Sequence, residues 1–209
     1  TLKTTDATIN LGQYSNWASS AVQINPTGSL SSLNINGAQD FGSASVSFST
    51  TTNNHNNISI NDTISGSGRL TFNLFTNGIG DNVTGAYLND SELSMIQDGF
   101  SEIRYLHARP IDINTASPWI LNDNTSISTT GHPLSIHTDI TASSGNNAGL
   151  NLSTNAILTV NGDIDLSPGN SASGITFENS SSLLLNGNLL TSGGDITISD
   201  SVQATSVLS

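Results

Sequence analysis

Short runs of alternating apolar residues that end in an Asn-Gly or Gly-Asp corner recur along this chain of 209 residues. The clearest copy is Asn155–Leu166, Ser180–Leu190 repeats it, and Ser29–Gly37 is a third example. The Asn-Gly pairs of the first two copies, at 161–162 and 186–187, lie twenty-five residues apart. Alternation with a period of two is typical of a strand with one buried face. A repeat near this length predicts stacked coils that bury their apolar sides against each other.

The composition excludes several classes of partner and site. The chain has 4 Lys and Arg against 16 Asp and Glu, so its net charge of −12 argues against nucleic acid and anionic membranes as partners. It has no Cys, which excludes disulfides, thiolate catalysis and cysteine-based zinc sites. No apolar run is long enough to span a bilayer, so membrane insertion is not expected. Because the chain begins with Thr rather than Met, we expect a processed or excised portion of something longer.

Short strands at irregular spacing are compatible with a β-sandwich or a β-helix. Runs such as Arg69–Phe75, Leu134–Thr138 and Ser182–Leu185 differ in length, and many linkers exceed two residues, which argues against hairpins. We therefore predict an all-β chain, a right-handed parallel β-helix that forms one domain over residues 1–209. Coils of about 20–25 residues, each rising about 4.8 Å, give about nine turns over about 45 Å. At the corners we expect glycines with positive φ and a hydrogen-bonded ladder of buried Asn.

The repeat is interrupted between Ile79 and Pro110, where we predict an inserted side element. Within it, Asp90–Gly99 is interpreted as a short helix with Asp90 as N-cap and Gly99 at C′, and with Leu93 and Ile96 facing inward. A second irregular segment, Tyr14–Val22, is interpreted as a brief helix or a loop that shields the first turn.

The interruption carries a string, Ile96-Gln-Asp-Gly-Phe-Ser-Glu-Ile103, preceded by Glu92-Leu-Ser-Met-Ile96 and followed by the strand pattern Ile111–Ile113. The Gly-Asp-Ile units at 162–166 and 194–198 complete the pattern. These motifs resemble those of filamentous-haemagglutinin-like large exoproteins of bacteria, over about residues 56–199. The resemblance implies a right-handed parallel β-helix, export across the cell envelope, and a role in surface adhesion or extracellular structure.

From the resemblance and the repeat we expect a non-enzymatic structural or adhesive protein, secreted or held at the surface of a bacterium. It would be a segment of a surface adhesin or a fibre-forming subunit that stacks head to tail. Its expected partners are other copies of itself or the rest of a longer exoprotein, together with cell-surface glycans. Open β-helix ends favour such stacking, because their unpaired amides and carbonyls accept another strand.

The alternative is a carbohydrate-binding or polysaccharide-cleaving β-helix, with the Ile79–Pro110 element as a wall of its groove. Glycoside hydrolysis needs two carboxylates that face each other across a cleft. The candidate pairs are Asp163 with Asp165 and Asp195 with Asp200. An Asp-x-Asp pair on one strand also offers donors for weakly bound calcium at an acidic corner, although an Asp that caps a turn is the more common arrangement.

The four histidines are His55, His107, His132 and His137. His132 and His137 flank a strand, and with Asp139 they are candidate metal ligands, although a structural or solvated role is favoured. The two tryptophans, Trp17 and Trp119, are candidates for stacking on sugars, but core packing is more frequent for this residue type. No catalytic, cofactor-binding or metal-binding residue is assigned, and no cofactor beyond the weak calcium alternative is predicted.

Overall fold

The computed structural model describes residues 1–15, 17, 21–27, 32–49, 58–75, 78–83, 87–178, 180–199 and 202–204. These residues form a parallel β-solenoid, in which strands from successive coils stack on one another. The predicted β-helix fold is therefore confirmed.

The described residues form 25 strands and one short helix. The strands of the first half are β1 (Leu2–Thr5), β2 (Thr8–Leu11), β3 (Tyr14–Ser15), β4 (Ala21–Thr27), β5 (Ser32–Ile35), β6 (Gln39–Asp40), β7 (Ser45–Ser49), β8 (Ile58–Ile60), β9 (Ile64–Ser65), β10 (Arg69–Leu74) and β11 (Gly78–Ile79). After helix α1 (Asp90–Ser94) come β12 (Glu102–His107), β13 (Ile111–Ile113), β14 (Trp119–Leu121), β15 (Thr125–Thr129), β16 (Leu134–Ile136), β17 (Ile140–Ala142), β18 (Leu150–Thr154), β19 (Ile157–Val160), β20 (Ile164–Asp165), β21 (Ile175–Glu178), β22 (Ser182–Leu185), β23 (Leu189–Leu190), β24 (Ile196–Ile198) and β25 (Val202–Ala204).

The solenoid has one continuous sheet and two faces that are interrupted near the middle. The long sheet contains nine strands in the order β1-β4-β7-β10-β12-β15-β18-β21-β24. The second face holds β2-β5-β8 and then β11-β13-β16-β19-β22-β25, and the third holds β3-β6-β9 and then β14-β17-β20-β23. All pairs are parallel, and each strand pairs with one from the neighbouring coil, as the sequence repeat predicts.

The core lies inside the coils, where every second residue of each strand points. Its first half contains a series of neighbouring aromatic rings. Ring centroids of Phe48 and Phe72 lie 5.5 Å apart, those of Phe72 and Tyr105 5.3 Å, and those of Tyr105 and Trp119 5.6 Å. Trp119 is buried, and Trp17 packs against the ring of Phe41 at 5.4 Å. Core packing therefore accounts for both tryptophans better than sugar stacking does.

The corner glycines are required by close backbone contact and not by a positive φ. A Cβ on Gly162 would lie 2.0 Å from the carbonyl oxygen of Thr138 in the preceding coil, and a Cβ on Gly187 would lie 1.9 Å from that of Gly162. Neither residue has φ in the left-handed region. The expected positive φ is present at other turns, as at Gly131 and Gly145, but not at these two corners, where the stacked backbones approach too closely for a side chain.

Helix α1 begins one residue earlier than predicted and ends sooner. Its N-cap is Asn89, whose side chain accepts a hydrogen bond from the Glu92 N–H, while the Glu92 carboxylate accepts one from the Asn89 N–H. This capping box needs a Glu three residues after the cap, a spacing that fits Asn89 and not Asp90. The helix ends at Ser94, so Gly99 is not its C′ residue. Ile96 is buried and Leu93 packs against the core, as predicted.

The irregular segment lies between β11 and β12, since both strands pair within the stacked sheets. Its residues bond to both strands that border the interruption of the second face, β8 and β11. Leu88 forms a parallel bridge with Ile79, and the Glu92 carboxylate accepts a hydrogen bond of 3.2 Å from the Ile60 N–H on the exposed edge of β8. Burial raises the pKa of Glu92, and the hydrogen bonds from Asn89 and Ile60 oppose that effect. Glu92 thus replaces a missing strand as acceptor.

The first irregular segment is partly strand. Tyr14–Ser15 is β3 and Val22 lies in β4, so neither belongs to a helix. Asn16 and residues 18–20, on which the helix-or-loop prediction also falls, lie outside the described residues.

Candidate functional site

The candidate carboxylates of the acidic corners do not face one another. Asp163 lies at the corner between β19 and β20, where the chain enters the third face, and Asp165 lies within β20. Asp195 lies at the other end of the third face, at the corner that precedes β24. Asp200 lies outside the described residues. The structure therefore does not bring Asp163, Asp165 and Asp195 together as a pair of facing carboxylates, and the pairing of Asp195 with Asp200 stays a prediction.

Backbone and side-chain donors occupy the two corner carboxylates. Asp163 Oδ1 accepts from the N–H of Asn188 at 2.7 Å and from its Nδ2 at 3.1 Å. Asp165 Oδ1 accepts from the N–H of Ser167 at 2.9 Å and from its hydroxyl at 2.6 Å. Asp165 therefore caps its own turn, whereas Asp163 joins its corner to the next coil. No group of three or more His, Asp or Glu side chains is close enough to hold a metal ion in the part of the chain that the structure describes.

The histidines occupy separate positions. His132 and His137 lie at opposite ends of β16. The carbonyl of His132 accepts hydrogen bonds from Thr129 and Thr154, while the His137 ring contacts Asn161 and lies 3.7 Å from an Asp112 oxygen. His107 is buried at the end of β12, and His55 lies outside the described residues.

Stacked amide side chains line the corner that follows the second face. Asn61 Nδ2 donates to Asn36 Oδ1 at 2.9 Å, Asn186 Nδ2 donates to Asn161 Oδ1 at 2.8 Å, and Asn161 Nδ2 lies 3.1 Å from His137 Nδ1. We call these five residues the corner ladder. The predicted ladder exists in two parts, one of Asn36 and Asn61 and one of His137, Asn161 and Asn186. Its asparagines are exposed and not buried, and the residue after Asn36, Asn161 and Asn186 is the buried glycine of each of these corners.

A groove of about 560 Å³ lies on the outer surface of the long sheet, where the chain enters its strands. It spans five neighbouring strands, β12, β15, β18, β21 and β24. Its polar lining includes Glu102, Asn151 and Asp195, and no aromatic side chain lines it. Sequence reasoning missed this groove, because only the strand register places its residues in one row.

An acidic pair lies beside the groove, at the turn before β15. The buried Asp123 carboxylate accepts a hydrogen bond of 3.1 Å from the Gly99 N–H. Burial raises the pKa of Asp123 to about 6; hydrogen bonds from the Gly99 and Phe100 backbone oppose this effect, and the nearby Asp98 carboxylate adds to it. Ionisation of Asp123 therefore lowers the free energy of unfolding.

We expect Asp123 to make the protein less stable as pH rises from about 4 to about 7, by about 1–3 kcal/mol. The folded state binds this proton more tightly than the unfolded state, so the contribution is lost as pH rises through the folded pKa. Asp123→Asn keeps an acceptor for Gly99 and removes the titration. Urea unfolding of both proteins across this range measures the effect, and stability curves that stay parallel would contradict it.

Both ends of the long sheet carry exposed apolar side chains. Among the described residues, β1 and β24 each have a neighbour on one side only. Leu2 is 42% exposed and Ile196 41%, whereas Ile175, the partner of Ile196 in the preceding coil, is fully buried. Alternate residues of a parallel strand bond to the same neighbour, so the amide groups of Ile196 and Ile198 point away from β21.

The chain was compared with protein-family models, with curated proteins and with solved structures, and none of them matches it. The described residues include no helix that is both long enough and apolar enough to cross a membrane.

Proposed function

We propose that this chain is a structural, non-enzymatic segment of a bacterial surface exoprotein, whose solenoid continues end to end through further coils. The observation that carries the proposal is that, among the described strands, β1 and β24 have one neighbour each, and that each has an inward-facing apolar residue that an added coil would bury. Burial of apolar surface and pairing of free amides both favour such addition.

The repeated polar contacts between coils support the same function. In the corner ladder and in the neighbouring row, where Asp139 accepts from the Asp163 N–H at 2.9 Å, each coil offers donors or acceptors to the next. Nothing in such contacts limits the number of coils that can be stacked. A head-to-tail contact that does not close produces a filament.

An exported location fits the acidic, cysteine-free composition and the resemblance of the 96–103 string to filamentous-haemagglutinin-like exoproteins. Its partners are then other copies of the chain or further coils of a longer exoprotein. Antibody labelling of intact cells tests the location, and a signal that appears only after lysis would contradict it.

Stacking is tested by Ile196→Lys, which places a charge on the exposed end of the core. We expect the wild-type chain to form filaments at high concentration, visible by electron microscopy, and the variant to remain monomeric, because a buried unpaired ammonium is costly. The matched control is Ile157→Lys, at an exposed isoleucine on the side of the solenoid. A wild-type protein that stays monomeric, or equal assembly of both variants, would contradict stacking.

A further inference from the structure

We propose that the groove across β12, β15, β18, β21 and β24 binds a neutral oligosaccharide that lies along the solenoid axis. This inference rests on the proposed function, since it assigns the adhesive role a surface and a ligand class. The groove lies on the outer side of the long sheet and extends to β24, its last described strand, so an added coil would lengthen the groove without covering it.

The shape of the groove favours a chain-like ligand. Its residues occupy equivalent positions in five adjacent strands, so its length is four strand spacings, about 19 Å. The strand register aligns Glu102, Asn124, Gly149, Gly174 and Asp195 along the entrance of these strands. Gly174 lacks a side chain near the middle of this row, and the Asn124 side chain lies over Gly149, from whose N–H it accepts a hydrogen bond of 3.0 Å.

The wall of the groove repeats the same hydrogen-bonding chemistry from coil to coil. Ser126, Asn151, Thr176 and Thr197 follow one another in register on four adjacent strands, about 4.8 Å apart. Hydroxyl and amide groups both donate and accept hydrogen bonds. The hydroxyl groups of a linear saccharide also donate and accept hydrogen bonds. They recur once per sugar ring, a repeat close to the strand spacing, so successive rings meet equivalent partners on the wall.

Charge excludes anionic ligands from this surface. The lining contains two carboxylates, Glu102 and Asp195, and no Lys or Arg. The Glu102 carboxylate is paired with Arg69 and Arg104, each at 2.8 Å, and no charged side chain lines the groove between Glu102 and Asp195. Uronates and sulfated sugars would therefore be repelled at the Asp195 end and would find no free cation in the lining.

The same geometry favours binding over cleavage. Glu102 and Asp195 stand at opposite ends of the row, about 19 Å apart along the axis by strand spacing. Inverting glycosidases hold their two carboxylates about 6.5–9.5 Å apart, and retaining enzymes hold them closer. This pair is too widely separated for either arrangement.

The test is titration of the purified chain with cellotetraose, mannotetraose and xylotetraose, and with tetragalacturonate as the anionic probe, followed by NMR or calorimetry. We expect at least one neutral tetrasaccharide to bind and tetragalacturonate not to bind. Thr176→Arg fills the groove and should weaken binding about tenfold or more. Thr159→Arg, the same change at an outward position on the second face, should leave affinity unchanged.

Asn151→Ala is a second variant that removes hydrogen bonds without adding bulk, and unchanged unfolding curves show that it remains folded. Binding of none of the neutral sugars, equal binding by Thr176→Arg and wild type, or preference for tetragalacturonate would overturn the proposal. Ile196→Lys, whose filament assembly is blocked, is expected to bind sugar, because the proposed site lies on the side of the solenoid. Filaments without sugar binding would overturn this inference alone, and sugar binding without filaments would overturn only the stacking proposal.

Discussion

Gly162→Ala is expected to lower the free energy of unfolding by about 3 kcal/mol or more. The added Cβ would lie 2.0 Å from the Thr138 carbonyl oxygen, and this contact is with backbone, which cannot rotate away as a side chain does. Relief requires the two coils to separate locally, which breaks ladder bonds on both sides of the corner. Urea or guanidinium unfolding of the purified variant measures the loss.

Gly12→Ala is the matched control, because no atom lies within 4 Å of a Cβ built there and its φ is outside the left-handed region. We expect a change within about 0.5 kcal/mol for this variant. Gly187→Ala should behave like Gly162→Ala, since its Cβ meets the Gly162 carbonyl oxygen at 1.9 Å. Similar stability of Gly12→Ala and Gly162→Ala would show that close coil contact does not explain the corner glycines.

Phe72→Ala is expected to cost about 3–5 kcal/mol. Phe72 is fully buried, and its ring stacks on Tyr105 with an interplanar angle of 7°. Phe72 lies in β10 and stands in register with Phe48 of β7, at the coil contact where the second face is interrupted between β8 and β11. The substitution therefore leaves a cavity at a contact where, among the described residues, only the long sheet carries strand pairing.

Ile120→Ala is the control for this prediction, because Ile120 is a large apolar residue that is exposed on β14. Its expected effect is within about 0.5 kcal/mol. Phe72→Leu should fall between the two, since it retains part of the buried volume. Equal losses for Phe72→Ala and Ile120→Ala in denaturant unfolding would mean that the aromatic contact adds nothing across the break.

The fold was predictable because its signal is local and repeated. Alternation in a run such as Ser182–Leu185 sets which residues face inward, and the recurrence of Asn-Gly sets the coil length. Strands of two residues, such as β6 and β9, contain no alternation and were missed. The cap of α1 was within reach of sequence reasoning, because Asn89 and Glu92 have the spacing of a capping box, but Asp90 is also a good capping residue.

The surface was much less predictable than the fold. The groove depends on which residues of different coils lie side by side, and coils of unequal length hide this in a sequence. The coil from Leu70 to Ile103 is longer than the coil from Leu150 to Ile175. The reason for Gly162 was also out of reach, since a sequence does not show whether a glycine is needed for its φ or for close approach. Among the residues of the acidic corners, Asp165 caps a turn as predicted, whereas Asp163 bonds to Asn188 of the next coil, a contact that the sequence does not show.

The interruption near the middle of the solenoid has a consequence for cooperativity. In a stacked array, stability is close to a sum of terms for each coil and for each contact between nearest neighbours. Among the described residues, the contact between the β7 coil and the β10 coil carries a four-residue pair on the long sheet, no strand pair on the second face and only the bridge between Ile64 and Ile96 on the third. We therefore expect the two halves of the stack to separate most readily at this contact, so that the coils after it stay folded while those before it open.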